Sequence, residues 1–143
     1  MICDLGVANC DWPMTERELL DRTKQFALRV FKLVGALRRT IQGKAVAAQL
    51  IPSGTSIAAN YRAACRARSK TEFIAKLGVV EEEAGESAFW LELIIETNLL
   101  SAAKVRPLLT EAGEIVAIMA SSKKTASRVP LRSQIANRKA QIP

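Results

Sequence analysis

The stretch "SGTSIAANYRAAC", residues 53–65, decides the architecture of this chain. It opens like a turn, with Ser53, Gly54, Thr55 and Ser56 directly after Pro52, and then continues in good helix formers. It is either a loop joining two helices or the small-residue seam of one long helix. Periodicity favours the helix. Ala47, Leu50, Gly54, Ile57, Tyr61 and Ala64 recur at steps of three and four straight through the apparent turn, and a loop is not expected to hold that register. The spacing predicts one helix over about residues 42–67. Pro52 removes the amide that would bond the carbonyl of Ala48, and its ring crowds that carbonyl, so a kink is expected near 48–53. A break at Pro52–Ser53 into two shorter helices is the alternative. Ser53, Ser56 and Asn60 form a narrow polar stripe beside the apolar one, and small residues there would let a neighbouring helix approach closely.

Three further segments have the same character. Thr15-Glu16-Arg17-Glu18 has the form of a capping box, and Leu19, Thr23, Phe26, Val30, Leu33 and Leu37 follow at helical spacing. Leu20, Ala27 and Val34 make a second row, so a first helix of about 24 residues presents a broad apolar face. Ser69 and Glu72 pair as the next capping box, ahead of Phe73, Leu77, Val80, Ala84, Ser87, Leu91 and Ile94. Thr97-Asn98 ends that helix and Ser101 can cap another, whose stripe is Val105, Leu108, Ala112, Ile115, Met119, Ser122 and Ala126. Pro107 suits a first turn, which places the regular start of this helix near residue 105. Four amphipathic segments of similar length joined by short loops predict an all-α fold, an antiparallel up-down-up-down four-helix bundle over residues 14–127. Residues 1–13 read as a flexible leader and 128–143 as a flexible basic tail.

Composition narrows the functional classes. The chain has 143 residues, one ordinary domain, and no histidine, which removes the commonest general base and metal ligand together. Cys3, Cys10 and Cys65 form no CxxC pair and cannot all pair with one another, so neither a disulfide framework nor a metal site is expected. No cofactor motif occurs. The leader lacks the basic start and apolar run of a signal peptide, and no apolar stretch is long enough to span a membrane. A soluble cytoplasmic protein is expected. The net charge of +7 is spread along the chain: residues 1–13 carry −2, residues 14–127 carry +5, and residues 128–143 carry four basic groups and no acid. That balance suits polyanion binding and also plain solubility.

Residues 53–70 and the helix after them resemble the ribosomal-RNA intervening-sequence protein family, also known as four-helix bundle proteins. The resemblance rests on Arg29 and Leu33, Gln49-Leu50, Ser53, Ser56-Ile57, Asn60-Tyr61, Arg66, Ser69-Lys70, Phe73, Leu77-Gly78, Glu86 and Trp90-Leu91. It extends over roughly residues 15–125. It implies an up-down bundle that assembles as a ring-like homopentamer, with no established catalytic activity. Some members are encoded within insertions in bacterial rRNA genes, and relatives of the same fold bind nucleic acid and a reverse transcriptase. This chain departs from the family pattern at Pro52 and at Ala63-Ala64, where a basic residue and a glutamate are common.

The candidate sites follow from charge and size. Arg62 and Arg66 lie one helical turn apart with Arg68 and Lys70 beyond, a spacing that lets guanidinium groups fork onto phosphates. Arg128, Arg132, Arg138 and Lys139 give the tail the character of an electrostatic arm. A solvated helix face is the plainer reading of the same charges, and no aromatics interleave to stack bases. Glu86 is expected to accept hydrogen bonds from Ser53, Ser56 and Asn60 as a structural polar cluster. Phe89 and Trp90 cannot share one core stripe, so one of them is assigned to an oligomer interface. The expected function is binding of RNA or DNA by a non-enzymatic oligomer. The competing reading is a protein-interaction scaffold with a protein partner and no nucleic acid.

Overall fold

The computed structural model describes residues 14–128, and all the regular structure there is helical. The helices are α1 (Glu16–Gly35), α2 (Ile41–Cys65), α3 (Lys70–Glu96) and α4 (Ala102–Arg128). The leader and residues 129–143 of the tail lie outside the described residues.

Residues 53–65 belong to one long helix and not to a loop, because α2 runs unbroken through Pro52 and the Ser-Gly-Thr-Ser run. Pro52 and Ala48 are both exposed, so the carbonyl left without an amide can be hydrated. Thr55 donates its hydroxyl to the Ile51 carbonyl at 2.8 Å, tying side chain to backbone one turn from the proline. Gly54 is buried against α1. A Cβ built there would stand 2.8 Å from Cγ2 of Val30, so the absent side chain is what allows α1 and α2 to approach so closely.

The stripes read from the sequence form the core. All seven residues named on α3 are buried, as are Leu19, Thr23, Phe26, Val30 and Leu33 on α1. On α2, Val46 and Ser53 are buried and Ala47 only half-buried, so the stripe is shifted by one residue at the start of the helix. Ile118 joins the α4 stripe, where Ser122 is half-buried. Each fully buried Leu, Ile or Phe contributes about 1.5–3 kcal/mol, and these side chains form one continuous cluster through all four helices.

Caps set the boundaries. Thr15 and Glu18 make the expected reciprocal capping box. α1 is 20 residues long, shorter than its apolar pattern implies, because Thr40 caps α2 by accepting from the Gly43 amide at 3.1 Å. A Cβ on Gly43 would lie 2.1 Å from the Arg38 carbonyl oxygen, so this turn requires glycine. Ser69 caps α3, but the Glu72 carboxylate takes the amide of Arg68 rather than that of Ser69. At the other end Asn98 has φ 56°, and the amides of Asn98 and Leu99 donate to the carbonyls of Ile95 and Ile94. That is a Schellman closure with asparagine in the left-handed position. α4 begins at Ala102, earlier than expected, with the exposed Pro107 inside the helix.

Each helix packs on the next, and α4 returns to α1. Connections 36–40 and 97–101 border one hollow at one end of the bundle. At the opposite end of α3, Lys70 reaches the Ser127 carbonyl near the end of α4 at 3.4 Å, so α3 and α4 run antiparallel.

Candidate functional site

The α2–α3 corner gathers the basic residues singled out in the sequence. Arg62 lies in the last turn of α2, where a cation is favoured by the helix dipole, and Arg66 is the C-cap, its amide donating to the Ala63 carbonyl while the Ala67 amide donates to that of Ala64. Both side chains are exposed, as is that of Arg68 in the loop. Lys70, half-buried, links the corner to the end of α4, and this contact brings the exposed Arg128 to the same end of the bundle. The structure thus brings Arg62, Arg66, Arg68, Lys70 and Arg128 to one end of the bundle from three helices and the α2–α3 connection. Arg132, Arg138 and Lys139 lie outside the described residues.

The polar stripe is arranged differently from the expectation. Ser87 donates to Ser53 at 2.9 Å, and Ser53 donates in turn to the Leu50 carbonyl at 3.2 Å, both hydroxyls being buried. Asn60 stays local, its side-chain amide donating to the Ser56 carbonyl at 2.9 Å. Glu86 does not join them. It is exposed and accepts from the Trp90 indole N–H at 3.4 Å. The physical reason is its place one residue before Ser87, about 100° around the helix, where its charge stays in water. Ser87 was readable as a core-stripe hydroxyl that had to find a partner, and the buried Ser53 across the α2–α3 seam is that partner.

Ion pairs join the helices elsewhere. Arg22 on α1 donates to Glu111 on α4 through Nε at 2.5 Å and Nη2 at 2.9 Å, and it also pairs with Glu114. The hydrogen bond from Arg22 holds the Glu111 carboxyl below the usual range against the opposing effect of burial, and Glu111 in turn raises Arg22. Lys123 Nζ meets the buried Oε2 of Glu81 at 2.5 Å across α3 and α4. Partial burial, with Glu86 and Glu82 nearby, pushes Glu83 up. Among the described residues no His, Cys, Asp and Glu side chains group as a metal site. Cys65 is half-buried against the core.

Four large apolar side chains stand outside the core, one of them Ile41 at the start of α2 and three on the flanks of α1 and α3. Leu28 and Phe31, one turn apart on α1, are 52% and 54% exposed. Phe89 on α3 is 51% exposed, while its neighbour Trp90 packs against the core with the two rings edge-to-face at 5.1 Å. The Leu28–Phe31 pair was not singled out in the sequence, because a broad apolar helix face does not reveal which of its residues the core leaves uncovered.

These features define a helical bundle with a basic corner and uncovered apolar side chains, and comparison with known proteins places it in a family. The chain belongs to the family described as 23S rRNA-intervening sequence protein, whose profile matches residues 15–121. Its fold is similar to the crystal structure of a protein with unknown function from the S23 ribosomal protein family of Bacteroides thetaiotaomicron VPI-5482. That similarity has a TM-score of 0.67 and 33% identity, covering 74% of this chain and 98% of that one. No match was found among curated proteins. No helix among the described residues is long and apolar enough to cross a membrane.

Proposed function

We propose that this chain is a non-enzymatic, self-associating bundle of the cytoplasm that binds RNA or another nucleic acid through its basic corner. The observation that carries the reading is the exposure of Arg62, Arg66 and Arg68 at the end of the bundle that also holds Lys70 and Arg128. Guanidinium groups at helical spacing suit a phosphate backbone, and the lack of interleaved aromatics favours recognition of charge over recognition of bases. The family's description, which refers to an intervening sequence of 23S rRNA, supports the same ligand class. Self-association uses the uncovered Leu28 and Phe31 of α1, and a ring such as the family's homopentamer would repeat the corner in every subunit.

The test is the double variant Arg62→Ala/Arg66→Ala. Its affinity for structured RNA and for duplex DNA should fall alike, and its salt dependence should be shallower by about one counterion for each phosphate that is no longer neutralised. Unchanged affinity would remove the corner from the binding surface. The second reading, a scaffold for a protein partner, draws on the same Leu28–Phe31 pair, which a partner could cover in place of another copy. Sedimentation distinguishes the two, because self-association predicts a species well above 15.6 kDa for the purified chain.

A further inference from the structure

We propose that the outer face of α3 is a docking surface for the chain's own basic segment, residues 129–143. The inference starts from a second helical stripe on α3, opposite its core stripe. Ala75, Val79, Glu82, Glu86, Phe89, Leu93 and Glu96 follow one another at alternating steps of four and three, so they form one line along the helix. Ala75, Glu82, Glu86, Phe89 and Glu96 are exposed, while Val79 and Leu93 are half-buried. The line therefore runs in blocks, Ala75 and Val79, then Glu82 and Glu86, then Phe89 and Leu93, then Glu96, and five of its seven side chains are exposed.

Its charge is unbalanced. Between Lys76 and Lys104 the sequence has six glutamates and neither lysine nor arginine. Among the described residues only Glu81 of these six is held in an ion pair, by Lys123. Three of the others lie on the stripe itself. An aromatic ring half out of the core, set among carboxylates, suits an occupant that carries both cations and apolar groups. Residues 129–143 fit that description, with Arg132, Arg138 and Lys139, the apolar Val129, Leu131 and Ile135, and no acid.

Reach and attachment favour this segment over a second copy of the bundle. The segment leaves α4 at Arg128, beside the start of α3, as the Lys70–Ser127 contact establishes. From Lys70, Glu82 lies about 18 Å and Glu96 about 39 Å along the helix axis. Fifteen residues can extend to about 50 Å, enough to follow the whole stripe. Tethering makes the encounter intramolecular, so weak contacts suffice. Two copies meeting through this face would set carboxylates against carboxylates. Of the pair Phe89 and Trp90, one of which the sequence assigns to a subunit interface, the exposed Phe89 would on this proposal be covered from within its own chain. A polyanion at the basic corner would then compete with α3 for the same segment.

Zero-length carbodiimide coupling of the full chain tests this, applied to an equal mixture of ¹⁴N- and ¹⁵N-labelled protein and read by peptide mass spectrometry. The expected result is an amide joining Lys139 to Glu82, Glu86, Glu92 or Glu96, within chains of one isotope. Its yield should drop about fivefold or more in roughly 0.5 M NaCl, where surface charges are screened. A similar drop is expected in Arg132→Glu/Arg138→Glu, whose substitutions lie outside the bundle. Absence of these products, or equal coupling of Lys139 to Glu16 and Glu18 of α1, would overturn the proposal. Mixed-isotope products alone would also overturn it, by giving the face to another copy's segment.

Discussion

At Gly54 a single missing side chain sets the distance between two helices. Val30, whose Cγ2 would stand 2.8 Å from an added Cβ, is buried and β-branched, so it cannot turn aside cheaply. Gly54→Ala should therefore destabilise the bundle by about 1–3 kcal/mol despite the better helix propensity of alanine, as read by urea unfolding. An increase in stability would show that α1 and α2 can separate at no cost. The neighbouring Ser53 bears a different constraint. Ser53→Ala deprives the buried Ser87 hydroxyl of its acceptor and should cost about 1–3 kcal/mol, whereas the half-buried Asn60, bonded only within its own helix, should tolerate replacement at well under that figure. Equal destabilisation at the two positions would mean that the polar stripe acts as one cluster after all.

Among the elements, α2 carries a proline deep in its interior, as α4 does nearer its start at Pro107. Pro52 is exposed and blocks one backbone hydrogen bond, so Pro52→Ala should raise stability by about 1–2 kcal/mol once the greater freedom of the unfolded chain is included. A decrease would place the proline in a role that the helix requires. The same helix shows what the sequence makes legible. Its register survives the Pro-Ser-Gly-Thr-Ser run because burial of Leu50, Ile57 and Tyr61 at helical spacing outweighs local turn preference. The core of α3 was readable to the residue for the same reason. Boundaries were less so: α1 stops at Gly35, short of its apolar pattern, where Thr40 caps α2 over a tight turn at Gly43 that no apolar period records. The Glu86 assignment failed because a stripe read on one helix does not specify which residue of its neighbour faces it, and Ser87 rather than Glu86 points inward. The basic corner was legible as a charge run, but its junction with the end of α4 exists only in the packed bundle.

Across the whole molecule, charge bears on stability in one way and on the proposed function in another. The Glu111 carboxyl, held below its ordinary range by Arg22, supports the α1–α4 contact while ionised. Its contribution is complete above the ordinary carboxylate range of the unfolded chain and is lost as pH falls from there through the lower folded value. Glu83, pushed up by burial and its glutamate neighbours, works in the opposite sense, so protonating it relieves a cost. Unfolding midpoints across the acid range should therefore show Glu111→Gln losing its disadvantage relative to the parent chain as pH drops. A disadvantage that persists at the lowest pH would mean that packing, not charge, is at issue. In the proposed function, this bundle holds nucleic acid by its charged surface and not by reading bases. The most direct measurement is the affinity of the full chain for structured RNA and duplex DNA of several sequences over a range of salt concentrations. The account predicts a straight, steep fall of log K with log[salt] and nearly the same line for every sequence. No binding at low salt, or tight binding of one sequence that salt leaves unchanged, would contradict it.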